Sequence, residues 1–422
     1  MTYKITTLAN GLRVASELLP GIESATIAAS VNVGSSFEDE LTGGISHVLE
    51  HMAFKGTTSR NAFEIAEQMD NVGGNMNAYT SIESTVYYAK VLKEDVALAV
   101  DIIGDILQNS TFDEQELTRE KEVILQEIAM HYDTPDDLIF DYFGETAYPD
   151  QPLGRSILGT PELVNSYNPD NLNDYIAKHY KAGNMVVSAA GNIDHDQFVS
   201  LVEKHFGGLA PSAPSVATKA QYHGGEKRVK RKLEQLHLML GFEAVSFSHP
   251  DYYIWQVLAT LLGGGMSSRL FREVREKRGL AYTVQAFVSA YRDSGIFGIY
   301  TATGEEKAPE MLKVVCGELQ KLLKGIDASE LLRAKNQIKA SLLMSRESSS
   351  GVADWIGRHL ICYDRYKPAR EISSIIDAIS EEDIIRISKQ LLSDPKLTFT
   401  TLGPQKKLPD YAKLSDMIKQ SA

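Results

Sequence analysis

Residues 207–225 read GGLAPSAPSVATKAQYHGG and lie near the middle of a chain of 422 residues. Small residues, two prolines and terminal glycine pairs make this stretch an exposed linker by composition. Working outward from it, the order of elements on one side begins again on the other. Before it, residues 4–9 and 12–16 flank Asn10-Gly11, the strongest short hairpin signal, and a third strand fits 25–33. Helical patterns then cover 43–54 and 60–71, strands 75–79 and 85–91, helices 96–109 and 114–132. After it, helices fit 250–263 and 267–276, strands 281–289 and 294–302, helices 305–324 and 328–347. Matching elements sit about 205–215 residues apart, the fixed offset of an internal repeat. Each half also closes on an apolar strand and a glycine, MVVSAAG at 185–191 and LTFTTLG at 397–403. The expected fold is α+β. It consists of two homologous domains, 1–206 and 226–422 about the linker 207–225, each a mostly antiparallel sheet packed with helices.

Composition narrows the function. With 43 Lys+Arg against 56 Asp+Glu the net charge is −13, whereas a nucleic-acid binder needs clustered cations for phosphate. The basic run Lys227 to Lys232 is short and isolated, and reads as a domain entry. No stretch reaches the roughly 18 apolar residues of a membrane span. The opening MTYKITTLANGLRV lacks the apolar core of a secretory signal, so a cytoplasmic protein is expected. Two cysteines, Cys316 and Cys362, are too few for a disulfide framework or a cysteine-ligated metal. The triple glycine Gly263–Gly265 has neither phosphate-loop pattern, which argues against a nucleotide site there.

The string His47-Val48-Leu49-Glu50-His51 carries the chemistry. On a helix the two histidines and Glu50 project from one face. Two neutral imidazoles on adjacent turns can hold one Zn²⁺ while a carboxylate beside them handles the proton of the attacking water. A catalytic zinc needs a third protein ligand, and the helical segment 111–132 offers Glu120, Glu122 and Glu127. Glu120 and Glu127 are seven apart and share a helix face, so one suits ligation and the other support of a ligand. Spacing alone does not choose among the three.

These residues together resemble the pitrilysin, insulysin and mitochondrial processing peptidase family, the inverzincins, named for the inverted order of their zinc motif. In that family the third ligand lies 76 residues beyond the second histidine, which picks Glu127 after His47 and His51. Glu50 then occupies the general-base position, and Glu120 the family's glutamate seven residues before the ligand. Gly74–Thr80 is similar to the family's G-x-x-N-A-(Y/F)-T segment, implying that Asn77 and Ala78 lie on an edge strand to which the substrate backbone adds. Leu270–Tyr282 resembles the stretch holding the family's arginine and tyrosine pair, here Arg275 and Tyr282, which steady the oxyanion of a tetrahedral intermediate. The resemblance therefore implies a Zn²⁺ metalloendopeptidase acting on peptides, and a two-domain chain that pairs with a second chain. A homodimer with shared sites is expected, because larger members carry four domains in one polypeptide. The family also implies two rivals: a noncatalytic scaffold subunit of the same fold, and a peptide-binding module with structural zinc. The intact zinc motif weighs against the first, and three evident ligands instead of four against the second. From Asp113 to Glu145 there are 11 Asp+Glu and 2 Lys+Arg, so basic peptides are the expected substrates.

Overall fold

The computed structural model describes residues 3–393 and 395–419. Strands β1 (Tyr3–Thr7), β2 (Arg13–Leu18), β3 (Ser24–Val31), β4 (Asn75–Thr80), β5 (Thr85–Leu92) and β6 (Met185–Gly191) form a sheet in the order β1-β2-β6-β3-β5-β4. Strands β7 (Gly225–Val229), β8 (Leu236–Glu243), β9 (Ala281–Ala290), β10 (Gly295–Thr303) and β11 (Thr398–Leu402) form a second, ordered β7-β11-β8-β10-β9. Leaving out β1, the two orders correspond strand for strand. Each has one parallel pair, β2 with β6 and β7 with β11, and is otherwise antiparallel. The glycines closing the two halves are equivalent as well. Gly191 (φ +137°) and Gly403 (φ +130°) each leave no room for a Cβ, which would sit 2.3 Å from the Ser24 carbonyl and 2.6 Å from that of Gln235. Only glycine combines that φ with so close a backbone approach. The α+β fold of two repeats is therefore the observed one.

The chain forms two compact units that draw on both halves of the sequence. One contains the residues up to 130 with 155–218 and 344–366; the other contains 131–154 and 219–343 with those from 367 onward. The linker at 207–225 marks where the repeat restarts, whereas compactness exchanges one helical segment from each half.

The first unit shows what the exchanged segment does. Side chains alternate along β6, so Val187 and Ala189 join one core while Val186 and Ala190 join another. The first core receives the helices α1 (Ile45–Met52), α2 (Ala62–Asn71), α3 (Val96–Gln108) and α4 (Glu114–Tyr132). The opposite face, lined by Ala15, Ala28, Val186 and Ala190, is covered by helix Ser349–Tyr363 through Val352, Ala353, Ile356 and Leu360. Small residues permit close approach, since a Cβ at Gly357 would lie 2.4 Å from the Ser30 hydroxyl. The second unit repeats the device. Helix Pro135–Ala147 lies on β8, β11 and β7, with the Phe143 ring against Gly241.

Several expectations need correction. The segment expected as a helix over 267–276 is a π-helical turn at Phe271–Glu276, where Lys277 N–H reaches the Arg272 carbonyl five residues back. The linker is not exposed throughout: Ala220 and Tyr222 are buried, and the Tyr222 hydroxyl bonds with Thr398 Oγ1. The basic run begins inside β7, where Lys227 pairs with Glu145, and continues past its end, where Arg231 pairs with Asp133. Of the two cysteines, Cys316 is buried and Cys362 is half-buried.

Candidate metal centre

The helix bearing the histidines is fixed at its start by a carboxylate and a pair of glycines. Glu38, 2 % exposed, accepts the Gly44 N–H at 2.7 Å and the Ser46 N–H at 2.9 Å. It thereby satisfies donors that the first helical turn leaves free and sets negative charge at the positive end of the helix. Burial pushes the Glu38 carboxyl up in pKa, and these N–H groups pull against it. Gly44 (φ +88°) and Gly159 (φ +72°) stand back to back, so that a Cβ at Gly44 would lie 2.8 Å from the Gly159 Cα. Gly44→Ala meets both a left-handed backbone and another backbone that has no side chain to move. It should cost about 2–4 kcal/mol of stability, read from denaturant unfolding. A loss below about 1 kcal/mol would show that the loop at Gly159 yields and does not fix α1.

From that start α1 projects His47 and His51 on adjacent turns, with ring centroids 4.7 Å apart. α4 brings Glu127 opposite them. Its Oε2 lies 3.6 Å from His47 Nε2 and 3.5 Å from His51 Nε2. These distances are long for hydrogen bonds. They match the roughly 3.3–3.6 Å between ligands that share one tetrahedral ion at bond lengths of about 2.0–2.2 Å. His47, His51 and Glu127 are the one His/Cys/Asp/Glu group of this kind among the described residues. Burial, then neighbouring His51, lowers the His47 pKa to about 4, so its imidazole is neutral near pH 7. A neutral imidazole is what a metal requires.

The other two glutamates of α4 part company. Glu120, 7 % exposed, faces His51 Nδ1 through its Oε2 at 3.1 Å, while Glu122 is exposed. A carboxylate on the far nitrogen fixes the tautomer that leaves Nε2 free to donate its lone pair. Glu50, half-buried, accepts a hydrogen bond from Thr80 Oγ1 at 2.6 Å. Burial raises the pKa of the Glu50 carboxyl, and Glu127 adds to this. The Thr80 hydroxyl and His51 oppose it.

Thr80 ends β4, one of the two edge strands of its sheet. Asn77 is exposed there and Ala78 is buried, and Asn77 Oδ1 accepts the Ala78 N–H at 2.8 Å. Arg275 and Tyr282 belong to the other unit. The Arg275 guanidinium lies 4.1 Å from the Tyr282 ring centroid and 4.7 Å from that of Phe271, and it donates to the Tyr282 carbonyl at 3.1 Å. Tyr282 is 73 % exposed. The π-helical turn delivers Arg275 to the start of β9, and such turns are frequent at functional sites. Sequence reasoning assigned no part to Glu38, Thr80 or Lys55, whose Nζ meets Glu120 Oε1 at 2.5 Å. Thr80 had a signal, as the last residue of the Gly74–Thr80 segment. Lys55 and Glu38 had none, because each reaches the site through a turn.

Comparison with known proteins finds family models and relatives along most of the chain. The sequence model described as Insulinase (Peptidase family M16) matches residues 13–161, and that described as the Peptidase M16 inactive domain matches 166–338. An uncharacterized zinc protease of Rickettsia felis is 43 % identical over 403 residues, spanning 95 % of this chain and 98 % of that protein. The mouse (Mus musculus) mitochondrial-processing peptidase subunit beta is 37 % identical, spanning 99 % of this chain and 87 % of that protein. A crystal structure of a Helicobacter pylori protease shares the fold with TM-score 0.88 at 24 % identity, over 95 % of this chain and 99 % of the other. The chain belongs to the insulinase family of peptidases, family M16. Its relatives include proteins named as zinc proteases and processing peptidases. No helix among the described residues is long and apolar enough to cross a membrane.

Proposed function

We propose that this protein is a zinc-dependent endopeptidase that cleaves short, extended, basic peptides. The observation that carries the reading is the convergence of two imidazole nitrogens and one carboxylate oxygen at 3.5–3.6 Å, with Glu50 beside them. His47, His51 and Glu127 would hold the metal. A bound Zn²⁺ would polarise the peptide carbonyl and bring the pKa of water down to about 7. Glu50, its proton affinity raised by burial, takes the proton from the attacking water and passes it to the departing amine. Glu120 holds His51 by its Nδ1. Asn77 and Ala78 receive the substrate backbone on the edge of β4. Because Asn77 Oδ1 occupies the Ala78 N–H, that carboxamide turns aside when a peptide strand pairs there.

Arg275 and Tyr282 stabilise the oxyanion. Each chain carries one donor set and one such pair on the two repeats 1–206 and 226–422, so the working unit is a homodimer whose sites are shared between copies. The protein acts in the cytoplasm. The charge preference follows from α4, which carries Glu114, Glu116, Glu120, Glu122 and Glu127 against Arg119 and Lys121. A matched pair of Lys/Arg-rich and Asp/Glu-rich peptides tests both parts. The basic peptide should be cleaved faster at low ionic strength, the difference should shrink with salt, and a chelator should stop both reactions until Zn²⁺ is restored. Equal rates on the two peptides remove the charge preference. Turnover that survives complete metal removal overturns the endopeptidase reading.

A further inference from the structure

We infer that Lys55 is a positioning residue of the metal centre, acting on His51 through Glu120. The inference rests on the metallopeptidase reading above and extends it by one residue. Lys55 lies just beyond α1 in a turn closed by its own N–H on the Met52 carbonyl at 3.1 Å. Gly56 follows at φ +128° and bridges to Asn61. That turn sends the Lys55 side chain back toward α4, where its Nζ meets Glu120 Oε1 at 2.5 Å. The other oxygen, Oε2, faces His51 Nδ1 at 3.1 Å, and His51 Nε2 faces Glu127 at 3.5 Å. Two side chains, Lys55 and Glu120, therefore stand in series behind one metal donor, His51.

The series has a geometric purpose. A carboxylate with a single partner swings about its terminal bonds, whereas one gripped at both oxygens has a fixed plane. Glu120 is almost wholly buried, so its oxygens have no water to turn to and need these partners. Lys55 settles which oxygen His51 meets, and thereby the ring orientation that aims Nε2 at Glu127. Without the ammonium, this buried glutamate, two turns before Glu127 on α4, is free to swing toward the ion itself and crowd the position a substrate needs.

The test is zinc affinity of the full chain, measured by competition with a chromophoric chelator. Lys55→Met should weaken zinc binding by about 10- to 100-fold, the usual effect of losing a partner behind a ligand. Lys55→Arg should restore most of it, since a guanidinium also grips both the position and the charge. In a Glu120→Gln background, Lys55→Met should add nothing, because the carboxylate through which Lys55 acts is gone. The double variant leaves no unpaired buried carboxylate and keeps the comparison available if the single variant folds poorly. Unchanged affinity in Lys55→Met, or an equal loss with Glu120 already replaced, overturns the inference and leaves the metal centre standing. A wild-type chain that binds no zinc overturns the metal-centre reading itself, before any Lys55 variant is made.

Discussion

Glu50→Gln should retain its zinc and lose peptide hydrolysis by a factor of about 10² or more. Glutamine has nearly the same shape and still accepts the Thr80 hydroxyl, so the local packing around that 2.6 Å bond persists. It has no basic oxygen that can take a proton at neutral pH. Glu50 stands outside the cluster formed by His47, His51 and Glu127, so metal content should not follow activity downward. Zinc per chain, measured beside turnover on the same sample, separates the outcomes. Undiminished hydrolysis would remove Glu50 as the base, and loss of zinc would make it a ligand. The pH profile adds a second reading. Because burial holds the Glu50 carboxyl above its ordinary value, wild-type kcat/KM should fall off on the acid side at a higher pH than a solvated glutamate would give.

Mixing two inactive proteins should restore activity. If the sites are shared between copies, Glu50→Gln lacks a base but keeps Tyr282, whereas Tyr282→Phe keeps its base and lacks the phenol. In a mixed dimer one site receives Glu50 from one chain and Tyr282 from the other, and the second site receives both defects. About half of the wild-type activity per mixed dimer is then expected once subunits have exchanged. Neither substitution should unfold the chain, since Tyr282 is 73 % exposed and Glu50→Gln is isosteric. No recovery after demonstrated exchange would mean that each chain completes its own site, and the shared-site dimer would have no remaining support.

How far the sequence foretold the structure depends on which forces place each element. The hairpin at Asn10-Gly11, β4, β5, β6 and the helices around His47 and Glu127 were legible because their periodicity and turn residues are local. Strands β7 and β8 were not read. β8, LHLMLGFE, is buried on both faces and lacks the alternation that marks a half-exposed strand. The π-helical turn under Arg275 was read as an ordinary helix, since the extra residue in its hydrogen-bond ring leaves no mark on composition. At the site, the histidine motif spoke for itself. The choice of Glu127 over Glu120 did not come from spacing, because two carboxylates seven apart share a helix face. Their separate positions, one toward Nε2 and one toward Nδ1, depend on where α4 crosses α1. Lys55 and Glu38 were silent for the same reason: a turn brings each to its partner, and no pattern counts residues across a turn.

The helix Ser349–Tyr363, lying on the sheet that the first repeat builds, has a consequence for how the chain comes to be folded. A ribosome that has made residues up to 206 has produced every strand of that sheet, yet nothing to cover Ala15, Ala28, Val186 and Ala190. That face stays open until roughly 150 further residues have been made, and pairings so distant in sequence are slow to form. During that wait an apolar, small-residue surface is available to other nascent chains, the condition under which chaperones matter most. The same topology gives the finished protein resistance to being taken apart. A protease that nicks the linker severs the backbone but frees neither half, because each fragment still carries the helix that roofs the other's sheet.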